Sequence, residues 1–268
     1  MNKNVFILFI CLFASIVPAF SQEEDENNFK KFNFGFNVGV SIPERAFARN
    51  DSVALPNYSG VLPVQYNQRD SGTINGYAKA GFHFNVYGRY MLIQNIGVMI
   101  SIGGNFNSFD VSTLSSNAAA QYKGYGFSGT PPVFSASGSY YVGEYLFGFY
   151  FKVPLVSPNL SAEFNILFGD VMATYPTLTY TYTNMGVTAS QAEKTNIGNG
   201  IGYNLAGGFK YTIANGKMAL HLGAGYTGCS VSYPSYTVST SGLSNTYNVP
   251  KSMSLGLLQF TIGGSIEI

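Results

Sequence analysis

The sequence predicts an all-β protein, specifically an eight-stranded antiparallel up-and-down transmembrane β-barrel with long extracellular loops and short periplasmic turns. Its composition, the alternating residue pattern of its strands and the alternating lengths of their connections indicate this fold. In the segment 32–42 every even-numbered residue is large and apolar, and every odd-numbered residue is Asn, Gly or Ser. A period of two predicts a strand with one apolar and one polar face. Its eleven residues match the about 9–11 that a tilted strand needs to cross a bilayer.

The composition is that of an exported barrel rather than of an ordinary soluble domain. Charged residues make up 10% of the chain, against about 25% in soluble domains. Tyr, Phe and Gly are abundant and Trp is absent. After the N-terminal segment no apolar run approaches the roughly 20 residues of a membrane helix. A secreted all-β adhesin is the alternative, and the strand pattern has to decide between them.

The first 21 residues are predicted to be a cleaved secretory signal peptide. Lys3 supplies the basic start, an apolar run covers 5–17, and Ala19 and Ser21 form a small-x-small cleavage pattern. Residues 22–31 follow as an acidic periplasmic lead-in, and 32–268 form the barrel domain. Without Lys3 the chain has equal numbers of basic and acidic residues. This balance gives no indication of nucleic-acid binding.

Eight alternating segments follow in order along the chain. They cover residues 32–42, 77–92, 96–107, 140–153, 160–168, 197–213, 218–227 and 255–268. In each, one phase is apolar and the other is mainly Gly, Asn, Ser or charged. The apolar phase is predicted to face lipid and the polar phase the lumen.

The connections between these segments alternate between long and short. Long ones are expected at 43–75, 108–138, 169–194 and 234–252, and short ones at 94–95, 154–159 and 215–216. The pair Asn215-Gly216 is a strong hairpin signal. Residues 177–183 are strand-like, so the fifth strand is expected to project beyond the membrane. A ten-stranded barrel with a hairpin hidden in one long loop and a soluble β-sandwich are the alternatives.

Six ionisable residues on the polar phase are predicted to converge at the periplasmic end of the lumen. These are Arg89, Lys152, Glu163, Lys210, His221 and Glu267. An eight-stranded barrel is narrow, so its lumen is largely filled by side chains. Buried charges pair because an unpaired one is costly. The cluster is therefore interpreted as a structural plug, with a gated proton or ion path as the functional alternative.

The outer half of the lumen is predicted to be rich in glycine. The inward glycines are Gly35, Gly39, Gly81, Gly103, Gly198, Gly200, Gly202, Gly223 and Gly225. They are expected to relieve curvature. The alternative is a small cavity open to the outside that binds a ligand, with Lys79, Tyr140 and Glu144 as its polar contacts.

No catalytic, cofactor or metal site is predicted. The sequence has no GxSxG elbow, no HExxH pair and no phosphate loop. His83 and His221 lie on different strands at different predicted depths. A lipid-directed enzyme would need a His beside Ser or a carboxylate at the outer rim, where neither His is expected.

The chain resembles the small outer-membrane β-barrel families over roughly residues 32–268. The FNFGFNVGVSIP first strand, the Tyr/Phe/Asn/Gly-rich alternating strands and the terminal LLQFTIGGSIEI strand carry the resemblance. The chain looks like the OmpX/OmpW-type architecture. It is most similar to the PorT-like outer-membrane β-barrel domain common in Bacteroidetes.

The resemblance implies integral insertion in a bacterial outer membrane with both termini periplasmic. The expected partners are outer-membrane lipid or lipopolysaccharide and other envelope proteins. The leading functional hypothesis is a non-enzymatic barrel that acts through its extracellular loops or as a subunit of an envelope complex, in adhesion, defence or secretion. The second is a porin-like channel or binding barrel for a small hydrophobic solute. The third is a lipid-modifying enzyme.

Overall fold

A computed structural model describes residues 32–50, 76–124, 130–131, 133–157, 159–184, 187–213, 217–240, 243–248 and 251–268. The predicted signal peptide, the acidic lead-in and the Asn215-Gly216 hairpin lie outside the described residues, as does most of the first long connection.

Eight antiparallel strands close into a barrel, as the sequence predicts. Their bounds are β1 Phe32–Glu44, β2 Ala78–Ile93, β3 Ile96–Phe109, β5 Tyr140–Pro154, β6 Leu160–Thr174, β9 Gly198–Ile213, β10 Met218–Tyr233 and β13 Lys251–Glu267. The order around the barrel is β1-β13-β10-β9-β6-β5-β3-β2. The ten-stranded alternative is wrong, because the additional strands lie outside this ring.

The first and last barrel strands form the seam that closes the sheet. They pair from Asn33 with Glu267 to Glu44 with Gly256. At the end of the seam, the backbone groups of Phe32 and Ile268 exchange two hydrogen bonds of 3.2 and 2.8 Å. Every strand therefore has two neighbours, and the barrel has no open edge.

The alternation of each strand separates a lipid-type exterior from a filled interior. Phe36 is 55% exposed, Ile100 62%, Phe147 66% and Leu222 63%, and many further large apolar side chains share this outer surface. Soluble monomeric proteins rarely expose a continuous apolar surface of this extent. The alternate residues point inward and are buried or half-buried, so the inside–outside assignment from the sequence is confirmed apart from Lys79.

Five shorter strands form a second antiparallel sheet beyond the long-connection end of the barrel. They are β4 Val133–Ser137, β7 Thr177–Asn184, β8 Val187–Thr195, β11 Tyr236–Thr240 and β12 Leu243–Tyr247. Their order is β12-β11-β8-β7-β4. The strand-like character of 177–183 is confirmed. These residues form a separate strand, however, because the chain leaves β6 at Thr174 and restarts at Thr177.

The described parts of the long connections, which the sequence predicts to be loops, also contain two helices. They are α1 Arg45–Ala48 and α2 Val111–Gly124. Along α2, Leu114, Ala118 and Tyr122 are buried at every fourth position and so form one stripe. No helix in the described part of the chain is long and apolar enough to cross a membrane.

Asp110 explains why α2 begins where it does. Its carboxylate accepts the backbone N–H of Thr113 at 3.1 Å and the hydroxyls of Ser112 and Thr113. This is an N-cap, and the Ala-Ala-Ala run further along has high helix propensity. Desolvation raises the pKa of Asp110, but these hydrogen bonds and the Lys79 ammonium outweigh it and hold the pKa well below its usual range.

Because the outer face of β1 is apolar and its inner face polar, a basic residue should lower the free energy of unfolding far more on the outer face. We expect Phe36→Lys to lower the free energy of unfolding in lipid vesicles by about 2–4 kcal/mol. Asn37→Lys loses one hydrogen bond to Asn85 (3.0 Å) and should cost about 1 kcal/mol. Denaturant titration followed by gel migration of the folded form measures both. Equal losses would overturn the inside–outside assignment.

Candidate functional site

The lumen of the barrel is filled in layers that can be followed along β13. From the end with short turns, Ser265 and Gln259 are buried polar residues, and Leu257, Leu255 and Met253 are buried apolar ones. The short-turn half of the lumen is thus polar, and the half towards the second sheet is apolar.

Glu163 is the centre of the inner polar layer. Its carboxylate accepts hydrogen bonds from Arg89 (3.0 Å), from His221 Nδ1 (2.9 Å) and from the Tyr150 hydroxyl. His221 Nε2 lies 2.7 Å from Ser265 Oγ. All of these side chains are buried. We refer to Arg89, Tyr150, Glu163, His221 and Ser265 as the inner cluster.

Two tyrosine rings pack against the guanidinium of Arg89. The Tyr87 and Tyr150 ring centroids lie 4.2 and 4.0 Å from its central carbon. Cation–π contacts of this kind are stronger in a desolvated site. The inner cluster is therefore a rigid, packed unit.

The other predicted members of this end of the lumen surround the inner cluster. Lys210 forms an ion pair with Glu267, and Asn33 donates to both Glu267 (3.3 Å) and Ser265 (3.1 Å). Lys152 lies directly opposite Glu163 in the register of β5 and β6 and is half-buried. The structure thus places all six ionisable residues at the short-turn end.

Glu144 is the centre of a second polar layer deeper in the lumen. It accepts hydrogen bonds from Asn105 (2.5 Å), Gln259 (3.2 Å) and Thr227 (3.3 Å). His83 Nδ1 lies 3.0 Å from Asn105 Oδ1. A carboxylate held by several neutral donors is satisfied without a cation. Glu144 is thus a member of the lumen packing and not a contact at an open mouth.

A small cavity lies between the two polar layers. Its volume is about 70 Å³, and its lining includes His83, Arg89, Glu144, Glu163 and His221. That is room for on the order of five water molecules, far less than the about 300–1,000 Å³ of a ligand pocket. Ser265 is not among its lining residues.

Apolar side chains close the lumen at the end next to the second sheet. Phe47 of α1 is fully buried and contacts Tyr140 edge to face at 4.8 Å between ring centroids. The Tyr140 hydroxyl donates to the Gly76 carbonyl at 2.5 Å. A Cβ on Gly202 would lie 2.6 Å from Val171 Cγ2. Glycine at this point makes room for a neighbouring apolar side chain, which argues against the alternative of a glycine-lined cavity open to the outside.

Lys79 does not point into the lumen, so the prediction for this residue is wrong. The pairing of β2 with β3 shifts between Ala78 and Gly81. This β-bulge inverts the alternation of the preceding residues, so Ala78 is buried while Lys79 is exposed. Lys79 pairs with Asp110 at 3.2 Å. Lys79, Tyr140 and Glu144 therefore have separate surroundings and do not form one binding site.

The described residues contain no group of three His, Cys, Asp or Glu side chains placed to hold a metal ion.

The sequence did not identify three neutral residues that bond to the buried polar groups of the lumen: Tyr150, Asn105 and Ser265. Each falls on the inward phase of its strand, so the alternation identified its direction. Only the three-dimensional pairing showed which charge each one contacts.

The sequence matches no family model and no curated protein. Among solved structures it is similar to Ail, the attachment invasion locus protein of Yersinia pestis (9% identity, 89% of this chain and 99% of that chain, TM-score 0.39). It is also similar to OprG of Pseudomonas aeruginosa (12%, 91% and 100%, TM-score 0.42). A third match is the outer-membrane protease OmpT of Escherichia coli (8%, 92% and 100%, TM-score 0.43). Such distant similarities carry no argument about activity.

The class of protein is defined by the molecule's own topology. A closed ring of eight antiparallel strands with an apolar outer belt and a side-chain-filled lumen is a small integral membrane β-barrel. The eight-stranded architecture of the OmpX/OmpW type, expected from the sequence, is confirmed. The PorT-like, Bacteroidetes-type assignment stays a prediction.

Removing Arg89 should destabilise the barrel strongly, because Glu163 would keep a buried charge without its arginine. We expect Arg89→Met to cost about 3–5 kcal/mol of unfolding free energy. Lys79→Met removes the same type of charge from an ion pair whose lysine is half exposed, and should cost at most about 1 kcal/mol. Because the chain has no Trp, tyrosine fluorescence or circular dichroism would follow unfolding. Equal, small losses would contradict a packed inner cluster.

Proposed function

We propose that this protein is a non-enzymatic integral outer-membrane barrel that binds partners through the sheet outside its barrel. The observation that carries the proposal is the five-stranded sheet itself. It is built from three of the four long connections and stands beyond the membrane-type belt. Loops that are longer than a connection needs are commonly functional.

A buried ion pair links this sheet to the barrel mouth, and helix α2 packs against the sheet. Lys251 of β13 pairs with Glu193 of β8 and lies 3.9 Å from the Tyr236 ring centroid. Helix α2 contacts β4, where Ser115 Oγ lies 3.5 Å from the Phe134 carbonyl oxygen. A binding surface on a rigid support loses less entropy when a partner binds.

The lumen supports a structural rather than a conducting role. Both polar layers and the apolar closure fill it, and the cavity between them is too small for a solute. These features favour the binding role over the alternative of a channel or binding barrel for a hydrophobic solute.

The Glu163–His221–Ser265 arrangement has the order of a hydrolase triad. A nucleophile also needs space for a substrate carbonyl about 3 Å away. Ser265 is 5% exposed and does not border the cavity. We therefore interpret the arrangement as part of the inner cluster, and the protein as a non-enzyme.

The proposed topology places the sheet outside the cell and both chain termini in the periplasm, with outer-membrane lipid or lipopolysaccharide around the belt. Other envelope proteins would contact the barrel at its periplasmic end. A role as a subunit of an envelope complex is thus compatible with the same orientation. The proposed orientation is supported by the positions of Phe32, Ile268 and the short turns, which share one end of the barrel.

Cysteine labelling in intact cells tests the orientation. Val133 on the sheet is 61% exposed, and Val156 in the short turn after β5 is fully exposed. We expect Val133→Cys, and not Val156→Cys, to react with a membrane-impermeant maleimide. The native Cys229 is buried and provides a low background. Labelling of Val156→Cys alone would place the sheet in the periplasm and overturn the proposal.

Planar-bilayer recording tests the closed lumen. The wild-type protein, shown to be folded by heat-modifiable gel migration, should give no conductance steps. A substitution of Gly223, which lines the cavity, is matched by one of Gly264. An added Cβ at Gly264 would be in ordinary contact with the Ala219 carbonyl oxygen at 3.6 Å and the Phe36 ring at 3.8 Å. Steps that vanish in Gly223→Leu and persist in Gly264→Leu would establish a pore and contradict the proposal.

A further inference from the structure

The two faces of the five-stranded sheet differ in chemistry. Phe134, Leu178, Gln191 and Tyr236 lie on one face and are buried. Their sequence neighbours on β4, β7, β8 and β11 point to the other face, which is exposed or half-buried. That second face is covered by nothing in the described part of the chain.

The uncovered face is an array of hydroxyl groups. The strand register aligns Ser135 with Thr179, Thr179 with Ala192, Ala192 with Ser239 and Ser239 with Ser244, so one row crosses all five strands. A neighbouring row contains Thr181 and Ser190. Strand spacing places such hydroxyls about 4.8 Å apart across the sheet and about 6.8 Å apart along it. We call this surface the hydroxyl face.

The hydroxyls are held in place by their neighbours. Ser239 and Ser244 lie 2.8 Å apart between their hydroxyl oxygens, and Thr181 and Ser190 lie 3.4 Å apart. Thr is also β-branched, so its side chain has few rotamers. The array is therefore largely pre-organised, and binding would order little that is mobile.

The composition of the hydroxyl face excludes most classes of partner. Among its described side chains Lys194 is the only charged one, and none is aromatic. Anionic ligands need clusters of Arg or Lys. Protein hot spots need buried aromatic or Arg anchors, and a lipid surface needs an apolar patch. Apart from Val133, Ala192 and Lys194, the described side chains of this face are hydroxyls. Each hydroxyl offers one donor and two acceptors.

We propose that the hydroxyl face binds a neutral polysaccharide. A sugar chain presents the same chemistry, uncharged hydroxyls that both donate and accept, and it is long enough to contact several strands at once. The many weak contacts of an extended chain add to a useful affinity through multivalency. This inference rests on the proposed function, because it requires that the sheet lie outside the cell.

The test compares the wild-type barrel in detergent micelles with two matched variants. The probes are immobilised dextran, mannan and galactan, with heparin as an anionic comparison and isolated lipopolysaccharide as a membrane comparison. Thr179→Val with Thr181→Val removes two hydroxyls from the hydroxyl face while the side-chain shape is kept. Thr195→Val makes the same change on the buried face of the same sheet, where the Thr195 hydroxyl has no partner.

We expect binding to at least one neutral polysaccharide, a loss of about tenfold or more in the double variant, and wild-type binding in Thr195→Val. Gel migration of the unboiled protein would confirm that each variant is folded. Binding to no neutral polysaccharide, equal binding by all variants, or binding to heparin or lipopolysaccharide alone would overturn the inference. If Val133→Cys is labelled in intact cells and no polysaccharide binds, this inference fails while the proposed function stands.

Discussion

The rest of the structure depends on the pairing of β1 with β13. A strand in a bilayer cannot leave its backbone groups unpaired, because no water is present to bond them. The seam satisfies the two strands that would otherwise be edges and forces every strand to tilt around a common axis. Closure also creates an interior too narrow for bulk water. Each inward residue must then be packed or bonded by another inward residue.

The inward residues are packed or bonded differently in the two halves of the lumen. Near the short turns, buried charges are compensated in the inner cluster, where Glu163 is shared by Arg89, Tyr150 and His221. Towards the second sheet, apolar residues and Phe47 of α1 exclude water instead. The polar half fixes the relative positions of strands from opposite walls. The apolar half anchors the connections that leave the barrel, so the outside sheet has a rigid base.

The barrel and the second sheet therefore differ in how much surface they leave available to a ligand. The barrel devotes its outer surface to lipid and its inner surface to packing, which leaves little free surface for a ligand. The second sheet has one face against the protein. No described residue covers its other face, which is rich in hydroxyls. In the proposed orientation, its distance from the apolar belt of the barrel makes this sheet the part of the molecule most accessible to other components of a cell surface.

The sequence by itself determined the number, direction and facing of the barrel strands, because a period of two needs no tertiary information. It also located Arg89, Glu163, Lys210 and His221 at one end of the lumen. Tertiary structure decided which charge meets which, because the partners lie on strands that are distant in sequence. It also decided the bulge that turns Lys79 outward and the assembly of short loop strands into a second sheet. These strands are short and polar on one side, so only pairing with one another and packing on the barrel mouth reveals them.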